Sequence, residues 1–188
     1  MLGKAGTMGC EASAQGMNAL YGEKMELENG FRDALLSCRR RNLMPEDLRE
    51  KSLREKSLIE KAFQARRRAY VPYSHFQVGA AVETETGEVF LGCNVENASY
   101  GAANCAERTA IFKAVSEGHK KFRRIAIVGG FSEEVKDYCM PCGICRQVMA
   151  EFGDLRDFQV ILAKSSEDYL VYRLEELLPH AFLPTALE

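Results

Sequence analysis

The chain has 188 residues, of which 46% are hydrophobic, and it carries a formal net charge of −2 and seven cysteines. This size predicts one domain with a substantial core, and the near-neutral charge does not favour polynucleotide binding, which leaves a basic footprint. The sequence shows no apolar run of membrane-spanning length and no secretory pattern at its N-terminus. Because an odd number of unevenly spaced cysteines is not typical of a disulfide framework, we expect a reducing, cytoplasmic setting.

Residues 1–44 contain several glycines and small polar residues but no recognisable motif. We predict that they form an N-terminal extension, flexible or partly helical. Residues 45–188 are predicted to form the main domain, which carries the recognisable motifs. The alternative interpretation is that translation begins later, at Met25 or Met44.

The first half of the main domain is predicted to be a long helix followed by a hairpin. Pro45 suits the first turn of a helix. Helical spacing of apolar residues continues to about Tyr70, because Pro72 disfavours helical backbone at the residue before it. A strand of small and branched residues then covers residues 76–82. Gly87 marks a hairpin turn, and the returning strand follows directly.

The second half alternates helices and strands. The patterns predict helices over 106–117 and 142–152, and strands over 124–130, 158–163 and 169–174. The later helix is predicted to bury Ile144 and Met149. Strands separated by helices favour parallel neighbours joined by crossovers. This order predicts an α/β fold with a five-stranded mixed sheet and helices on both faces.

Three cysteines at the starts of the two later helices have the spacing of a metal site. Cys142 and Cys145 are separated by two residues, so that a tight turn can direct both sulfurs at one zinc ion. Cys105 is the candidate third ligand. Three protein ligands leave one position of a tetrahedral zinc open for water, which is typical of a catalytic rather than a structural zinc.

Charged residues lie close to these cysteines in the sequence. Glu107 is two residues after Cys105, in the same first helical turn, where its carboxylate can exchange protons with water at the metal. Zinc with three thiolates carries a net charge of about −1. We predict that Arg108 and Arg146 donate hydrogen bonds to the sulfurs, and that the helix N-termini also stabilise the thiolates.

Other interpretations of the cysteines remain open. A Cys-x-x-Cys pair alone also occurs in redox sites and as half of a zinc ribbon. Cys139, Cys142 and Cys145 are evenly spaced by three, and with Cys105 they would make a closed four-cysteine site. Such a site would belong to a non-enzymatic structural zinc module, and it would not explain Glu107.

Asn94 and Glu96 lie at the end of the second predicted strand. Alternation places their side chains on the same side of the extended chain. They therefore offer an amide and a carboxylate to one ligand, and a carboxylate that accepts from sugar hydroxyls is a common way to hold ribose. Turn formation is the alternative role for Asn94.

Two segments, 105–110 (CAERTA) and 141–147 (PCGICRQ), resemble the two signatures of the small, homotetrameric, three-cysteine cytidine deaminases. Segments 71–82 and 174–182 resemble further parts of that family. The resemblance extends from about Leu58 to the C-terminus. It implies a cytidine deaminase-like three-layer α/β/α sandwich with a five-stranded mixed sheet, and residues 45–188 as the catalytic domain.

The resemblance also implies a function. The expected reaction is hydrolytic deamination of cytidine and 2′-deoxycytidine to uridine and 2′-deoxyuridine, with one zinc ion per subunit of a homotetramer. Zinc would be held by Cys105, Cys142 and Cys145, while Glu107 carries protons to the ring and to the leaving ammonia.

Substrate-binding positions follow from the same resemblance: Phe76, Asn94, Glu96, Tyr100, Ala106 and Phe182. In that family, the aromatic residue at position 76 packs against the pyrimidine. The residues at positions 94 and 96 bind the ribose 3′-hydroxyl. Those at positions 100 and 182 approach the site of a neighbouring subunit.

Two related activities share parts of this pattern. A blasticidin-type deaminase has the same zinc scaffold, but the Asn94 and Glu96 pair is not expected there. A deaminase that edits RNA or DNA usually has histidine at the position of Cys105 and a basic groove, and this sequence shows neither.

Overall fold

The computed structural model describes residues 45–187, so the predicted extension over residues 1–44 lies outside the described residues. The compact unit Lys51–Glu188 contains the whole sheet and every residue of the predicted site. Between residues 45 and 187, no helix combines the length and the apolar character needed to cross a membrane.

The helices and strands follow the predicted order. The helices are α1 (Glu46–Arg66), α2 (Ala106–Ser116), α3 (Gly143–Phe152) and α4 (Leu174–Leu177). The strands are β1 (Gln77–Thr84), β2 (Val89–Cys93), β3 (Phe122–Gly130), β4 (Gln159–Ala163) and β5 (Tyr169–Arg173). Short 3-10 helices cover Tyr100–Ala102 and Pro184–Leu187.

Helix α1 ends earlier than predicted, at Arg66 rather than near Tyr70. The Tyr70 N–H donates to the Asn94 carbonyl (3.0 Å), and the Tyr70 carbonyl accepts from the Glu96 N–H (2.8 Å). Tyr70 thereby forms a bridge with the segment that follows β2. Because its backbone groups are used in this pairing, they are not available to continue the helix. A contact with a distant segment, and not only Pro72, therefore decides where α1 ends.

The sheet has the strand order β2-β1-β3-β4-β5. β3 and β4 are parallel, as predicted for strands joined by a helix, and the other three neighbouring pairs are antiparallel. Strand β1 lies between β2 and β3 and is antiparallel to both. β2 and β3 therefore run in the same direction and end at the same edge of the sheet. Helix α2, which follows β2, and helix α3, which follows β3, both begin near that edge.

Helices cover both faces of the sheet. On one face, α1 contributes Leu58, Ile59 and Ala62 to a buried cluster with alternate residues of β1, β3 and β4. On the other face, α2 and α3 pack against the intervening residues of the same strands, with Ile111 and Met149 fully buried. The predicted three-layer α/β/α sandwich with a five-stranded mixed sheet is confirmed.

The prediction for Ile144 is wrong. Its side chain is 62% exposed, whereas that of Met149 is fully buried. Cys145 and Met149 are four residues apart and occupy the inward face of α3. Ile144, one residue away, lies about 100° around the helix and is turned toward solvent.

Glycines allow two helices to approach the sheet closely. A Cβ at Gly79 would overlap the backbone of α1, and a Cβ at Gly92 would overlap the backbone of α2 at Ala106 and Ala110. An overlap with backbone cannot be relieved by a change of side-chain rotamer. Gly92 therefore sets the distance between β2 and the helix that follows Cys105.

We expect Gly92→Ala to lower the free energy of unfolding by about 3 kcal/mol, since overpacking costs about 1–3 kcal/mol and sometimes more. The measurement is the urea midpoint at a fixed protein concentration, with the m-value checked for constancy. Gly101→Ala is the control, because a Cβ there meets nothing within 4 Å. Equal midpoints for the two variants would show that close approach of α2 does not depend on Gly92.

Candidate active site

The three predicted ligand cysteines lie together at the N-terminal ends of α2 and α3. Cys105 immediately precedes α2 and Cys142 immediately precedes α3, both with extended backbone. Cys145 lies in the first turn of α3 and is fully buried. The three Sγ atoms all lie within 4.8 Å of one another. The topology of the sheet thus joins one residue that follows β2 to two residues that follow β3.

The positions of the sulfurs fit a zinc ion. Zn–S bonds of about 2.3 Å in tetrahedral geometry place two sulfurs about 3.8 Å apart. The Sγ atoms of Cys105 and Cys142 are 3.9 Å apart. Cysteine thiolates are preferred ligands of zinc, so the group suits the ion in both distance and donor chemistry.

The thiols differ in their tendency to ionise. Hydrogen bonding from Cys145 lowers the pKa of Cys105 to about 5 against the opposing effect of burial. Arg108 contributes as well, because its Nη2 lies 3.6 Å from the Cys105 Sγ. The Cys105–Cys145 hydrogen bond and burial raise the pKa of Cys145. Negative charge therefore concentrates on Cys105, at the positive end of the α2 dipole and beside a guanidinium group.

Glu107 places a buried carboxyl group beside the sulfurs. It is the second residue of α2 and is 4% exposed. Burial raises the pKa of Glu107 to about 7, and the charge of Cys105 adds to this, whereas hydrogen bonds from its own backbone N–H and from Cys145 lower it. A carboxyl group whose pKa is near neutrality can both accept and release a proton, as a general acid–base group must.

Arg146 contacts backbone carbonyls. Its Nε donates to the Pro141 carbonyl and its Nη1 to the Leu177 carbonyl, both at 2.8 Å. These bonds connect the residue before Cys142 to the end of α4. Among the hydrogen bonds of residues 45–187, Arg108 donates to a ligand sulfur and Arg146 does not. Sequence reasoning missed this contact because Leu177 is distant from Arg146 in the chain.

Cys139 lies in the loop before α3 and outside the group of three thiols. A Cβ at Gly129 would lie 2.6 Å from the Cys139 Sγ and 3.1 Å from the Phe76 Cε1, so both side chains pack at this point of β3. Burial raises the pKa of the Cys139 thiol to about 12, and the thiol is therefore protonated at neutral pH. Within the described residues, the closed four-cysteine arrangement is not formed.

The Asn94 side chain is bonded to the start of β1. Its Oδ1 accepts from the Val78 N–H and its Nδ2 donates to the Phe76 carbonyl, each at 2.8 Å. The amide thus holds the backbone on which the Phe76 ring is carried. This contact is a structural role that the alternation of side chains did not predict.

The Glu96 carboxylate faces the turn that precedes β1. Its Oε2 accepts from the N–H groups of Tyr73 (2.9 Å) and Ser74 (3.2 Å). Hydrogen bonding from Ser74 and Tyr73 lowers the pKa of this carboxyl group. Asn94 therefore binds the start of β1, whereas Glu96 binds the turn that precedes it.

The remaining predicted substrate positions differ in exposure. Phe76 is partly buried against the larger core cluster, and Ala106 is fully buried at the first position of α2. Tyr100 and Phe182 are 79% and 61% exposed. The Phe182 carbonyl accepts from the Gln147 Nε2 (2.7 Å), which attaches the C-terminal segment to α3.

Two residues near Phe76 were not predicted from the sequence. The ring of Phe131 lies 4.8 Å from that of Phe76, at an interplanar angle of 75°. Arg66 is buried and donates to the ends of the strands next to both rings. Phe131 stands in a charged loop, and Arg66 begins a run of three arginines, so neither residue lies in a pattern that indicates a site.

The sequence is similar to those of known cytidine deaminases. A sequence model of the cytidine and deoxycytidylate deaminase zinc-binding region matches residues 53–162. A cytidine deaminase from Halalkalibacterium halodurans is 52% identical over 121 residues, which cover 64% of this chain and 88% of that protein. A probable cytidine deaminase from Dictyostelium discoideum is 45% identical over 122 residues, covering 64% of this chain and 78% of that protein.

Solved structures are similar as well. The crystal structure of cytidine deaminase from Burkholderia pseudomallei has 51% sequence identity and a TM-score of 0.61, covering 67% of this chain and 97% of that chain. The crystal structure of cytidine deaminase from Mycobacterium tuberculosis has 40% sequence identity and a TM-score of 0.58, covering 67% of this chain and 94% of that chain. With three clustered thiols in the matched region, the chain belongs to the cytidine and deoxycytidylate deaminase family.

Proposed function

We propose that this chain catalyses the hydrolytic deamination of cytidine and 2′-deoxycytidine to uridine and 2′-deoxyuridine, with release of ammonia, in pyrimidine salvage. The observation that carries the proposal is the buried carboxyl group of Glu107 beside three clustered thiols. The 52% identity to a cytidine deaminase, over 88% of that protein, supports the same reaction.

Cys105, Cys142 and Cys145 would hold one zinc ion per subunit. When bound, zinc supplies the Lewis acidity that lowers the pKa of a water molecule toward about 7. Glu107 accepts a proton from water and delivers it to ring N3 as the water oxygen adds to C4. Glu107 then carries a second proton to the exocyclic amino group, which leaves as ammonia. One water is consumed for each ammonia released, and the burial of Glu107 limits proton exchange with bulk solvent.

The nucleoside would bind between the thiol group and the turn before β1. Phe76 would pack against the pyrimidine, and the buried Ala106 would keep the backbone at the start of α2 close to the ring. Asn94 and Glu96 would bind the ribose 3′-hydroxyl with the hydrogen-bonding capacity that remains beyond their bonds to the start of β1 and to the turn before it. Glu96 Oε2 accepts both of its backbone hydrogen bonds, which leaves Oε1 for a hydroxyl.

The active form would be a cytoplasmic homotetramer in which Tyr100 and Phe182 complete the site of a neighbouring subunit. The high exposure of both rings supports this proposal, because each ring is available to contact another subunit. The five cysteines of residues 45–187 are free thiols, which suits a reducing compartment.

The experiment that tests the proposed reaction is an ammonia-release assay on cytidine and 2′-deoxycytidine, with zinc measured in the same sample. We expect Glu107→Gln to retain zinc and to lose about 10²- to 10⁴-fold in kcat, because general acid–base catalysis contributes about that much. Glu117→Gln, at the exposed far end of the same helix, is the matched control and should keep the parent rate.

One outcome would contradict the role of Glu107, and another would contradict the proposed reaction. If Glu107→Gln keeps the parent kcat, Glu107 is not the proton carrier. If the zinc-loaded parent protein releases no ammonia from either nucleoside, the proposed reaction is wrong, and turnover of blasticidin would then favour the related activity.

Removal of a ligand thiol should remove the metal. We expect Cys142→Ala to lower the zinc content from about one ion per subunit to a small fraction, since three protein ligands are needed for a site of this kind. Cys142 is exposed, so the loss of its side chain should leave the core packing intact. Cys139→Ala is the control and should retain zinc. The measurement is elemental analysis after gel filtration, and a full zinc complement in Cys142→Ala would exclude this ligand set.

The proposed ribose contact predicts an effect that depends on the substrate. Glu96→Gln should raise KM for 2′-deoxycytidine by about tenfold, because a hydrogen bond to a charged group is lost. The same change should have little effect on KM for 2′,3′-dideoxycytidine, which has no 3′-hydroxyl. Initial rates on both substrates give the comparison. Equal changes in KM for the two nucleosides would indicate that Glu96 acts through the turn before β1 and not through the sugar.

A further inference from the structure

Arg66 is a buried cation that the proposed reaction does not use. It is the last residue of α1 and is 4% exposed. Its Nε donates to the Gln77 carbonyl (3.1 Å), and its Nη2 donates to the carbonyls of Gly130 (2.9 Å) and Ser132 (2.5 Å). A guanidinium group removed from water needs hydrogen-bond acceptors. Here the acceptors are backbone carbonyls at the start of β1, at the end of β3 and in the loop that follows β3.

These three carbonyls flank two phenylalanine rings. Gln77 is the first residue of β1 and follows Phe76, whereas Gly130 ends β3 and, with Ser132, brackets Phe131. The two rings meet edge to face, with centroids 4.8 Å apart. One guanidinium group therefore fixes the backbone on both sides of Phe131 and directly after Phe76.

Phe131 is highly exposed despite this fixed backbone. Its side chain is 75% exposed, while Phe76 is partly buried against the core. Phe76 also lies beside Cys139 at Gly129, and Phe76, Cys139 and Cys105 all pack against the larger core cluster. The two rings thus form an aromatic wall, Phe76–Phe131, that leads from the thiol side of the sheet edge to solvent. An aromatic pair with an open face can bind another flat π surface.

We propose that Phe131 is a substrate-contact residue whose ring, with Phe76, binds the pyrimidine of the nucleoside, and that Arg66 is the positioning residue that holds this aromatic wall. The inference rests on the proposed function, because it requires a pyrimidine substrate. Phe131 contacts the base directly, whereas Arg66 acts through the backbone of the two strand ends.

The first test uses Phe131→Ala in the ammonia-release assay with cytidine. We expect KM to rise about tenfold, a typical loss for one base–aromatic stacking contact, with kcat changed by less than about twofold. Phe131→Tyr should restore the parent KM. Leu53→Ala is the control, because it truncates another exposed apolar side chain, on α1 (66% exposed), and it should leave KM unchanged.

The second test separates positioning from stability. A lysine ammonium cannot reproduce the fork of donors that Arg66 directs at three carbonyls, so Arg66→Lys should raise KM. Arg67→Lys, the exposed neighbour, is the matched control and should behave as the parent. The KM effects of Arg66→Lys and Phe131→Ala should combine to less than their product, because both disturb the same aromatic wall. A lower melting temperature in Arg66→Lys with an unchanged KM would overturn its positioning role.

Failure of this inference can be told apart from failure of the proposed function. If the parent protein deaminates cytidine and Phe131→Ala has the parent KM, the reaction stands and the role of Phe131 is refuted. If the parent protein deaminates neither nucleoside, both proposals are refuted together.

Discussion

The candidate site depends on two helices that begin at the same edge of the sheet. Strand β1 lies between β2 and β3 and is antiparallel to both, so the helices that follow β2 and β3 start near each other. Each of these helices is preceded by a cysteine that makes no side-chain capping bond. The positive dipole ends of both helices then face a common centre, which stabilises anionic sulfur. Cys145 and Glu107 enter the same centre from the first turns.

The arginines around this centre have different tasks. Arg108 donates to the Cys105 sulfur and so offsets the negative charge of the thiol group. Arg146 holds the residue before Cys142 to the end of α4, and Arg66 holds the strand ends next to Phe76 and Phe131. The planar guanidinium groups of Arg146 and Arg66 each donate to two or more backbone carbonyls, a geometry that a lysine ammonium does not provide. Arginine therefore offsets thiolate charge at position 108 and fixes the position of backbone segments at 66 and 146.

What could be predicted from the sequence is what depends on local spacing. Hydrophobic periodicity and turn-forming glycines predicted the order of helices and strands. Gly87 and Gly118, which mark a turn and a helix end, do adopt positive φ. The spacing of the Cys-x-x-Cys pair predicted two of the three clustered thiols. Long-range contacts were not predictable in this way. Helix α1 stops at Arg66 because Tyr70 pairs beyond β2, and Arg66 reaches carbonyls 64 and 66 positions away. No periodicity encodes such partners.

We expect three sulfurs, and not four, to surround the metal, so that the site stays open to substrate beside Glu107. X-ray absorption at the zinc edge of the purified protein tests this most directly, because it counts sulfur ligands. The expected result is three sulfurs at about 2.3 Å. A fourth sulfur at the same distance would contradict it, since Cys139 would then close the site.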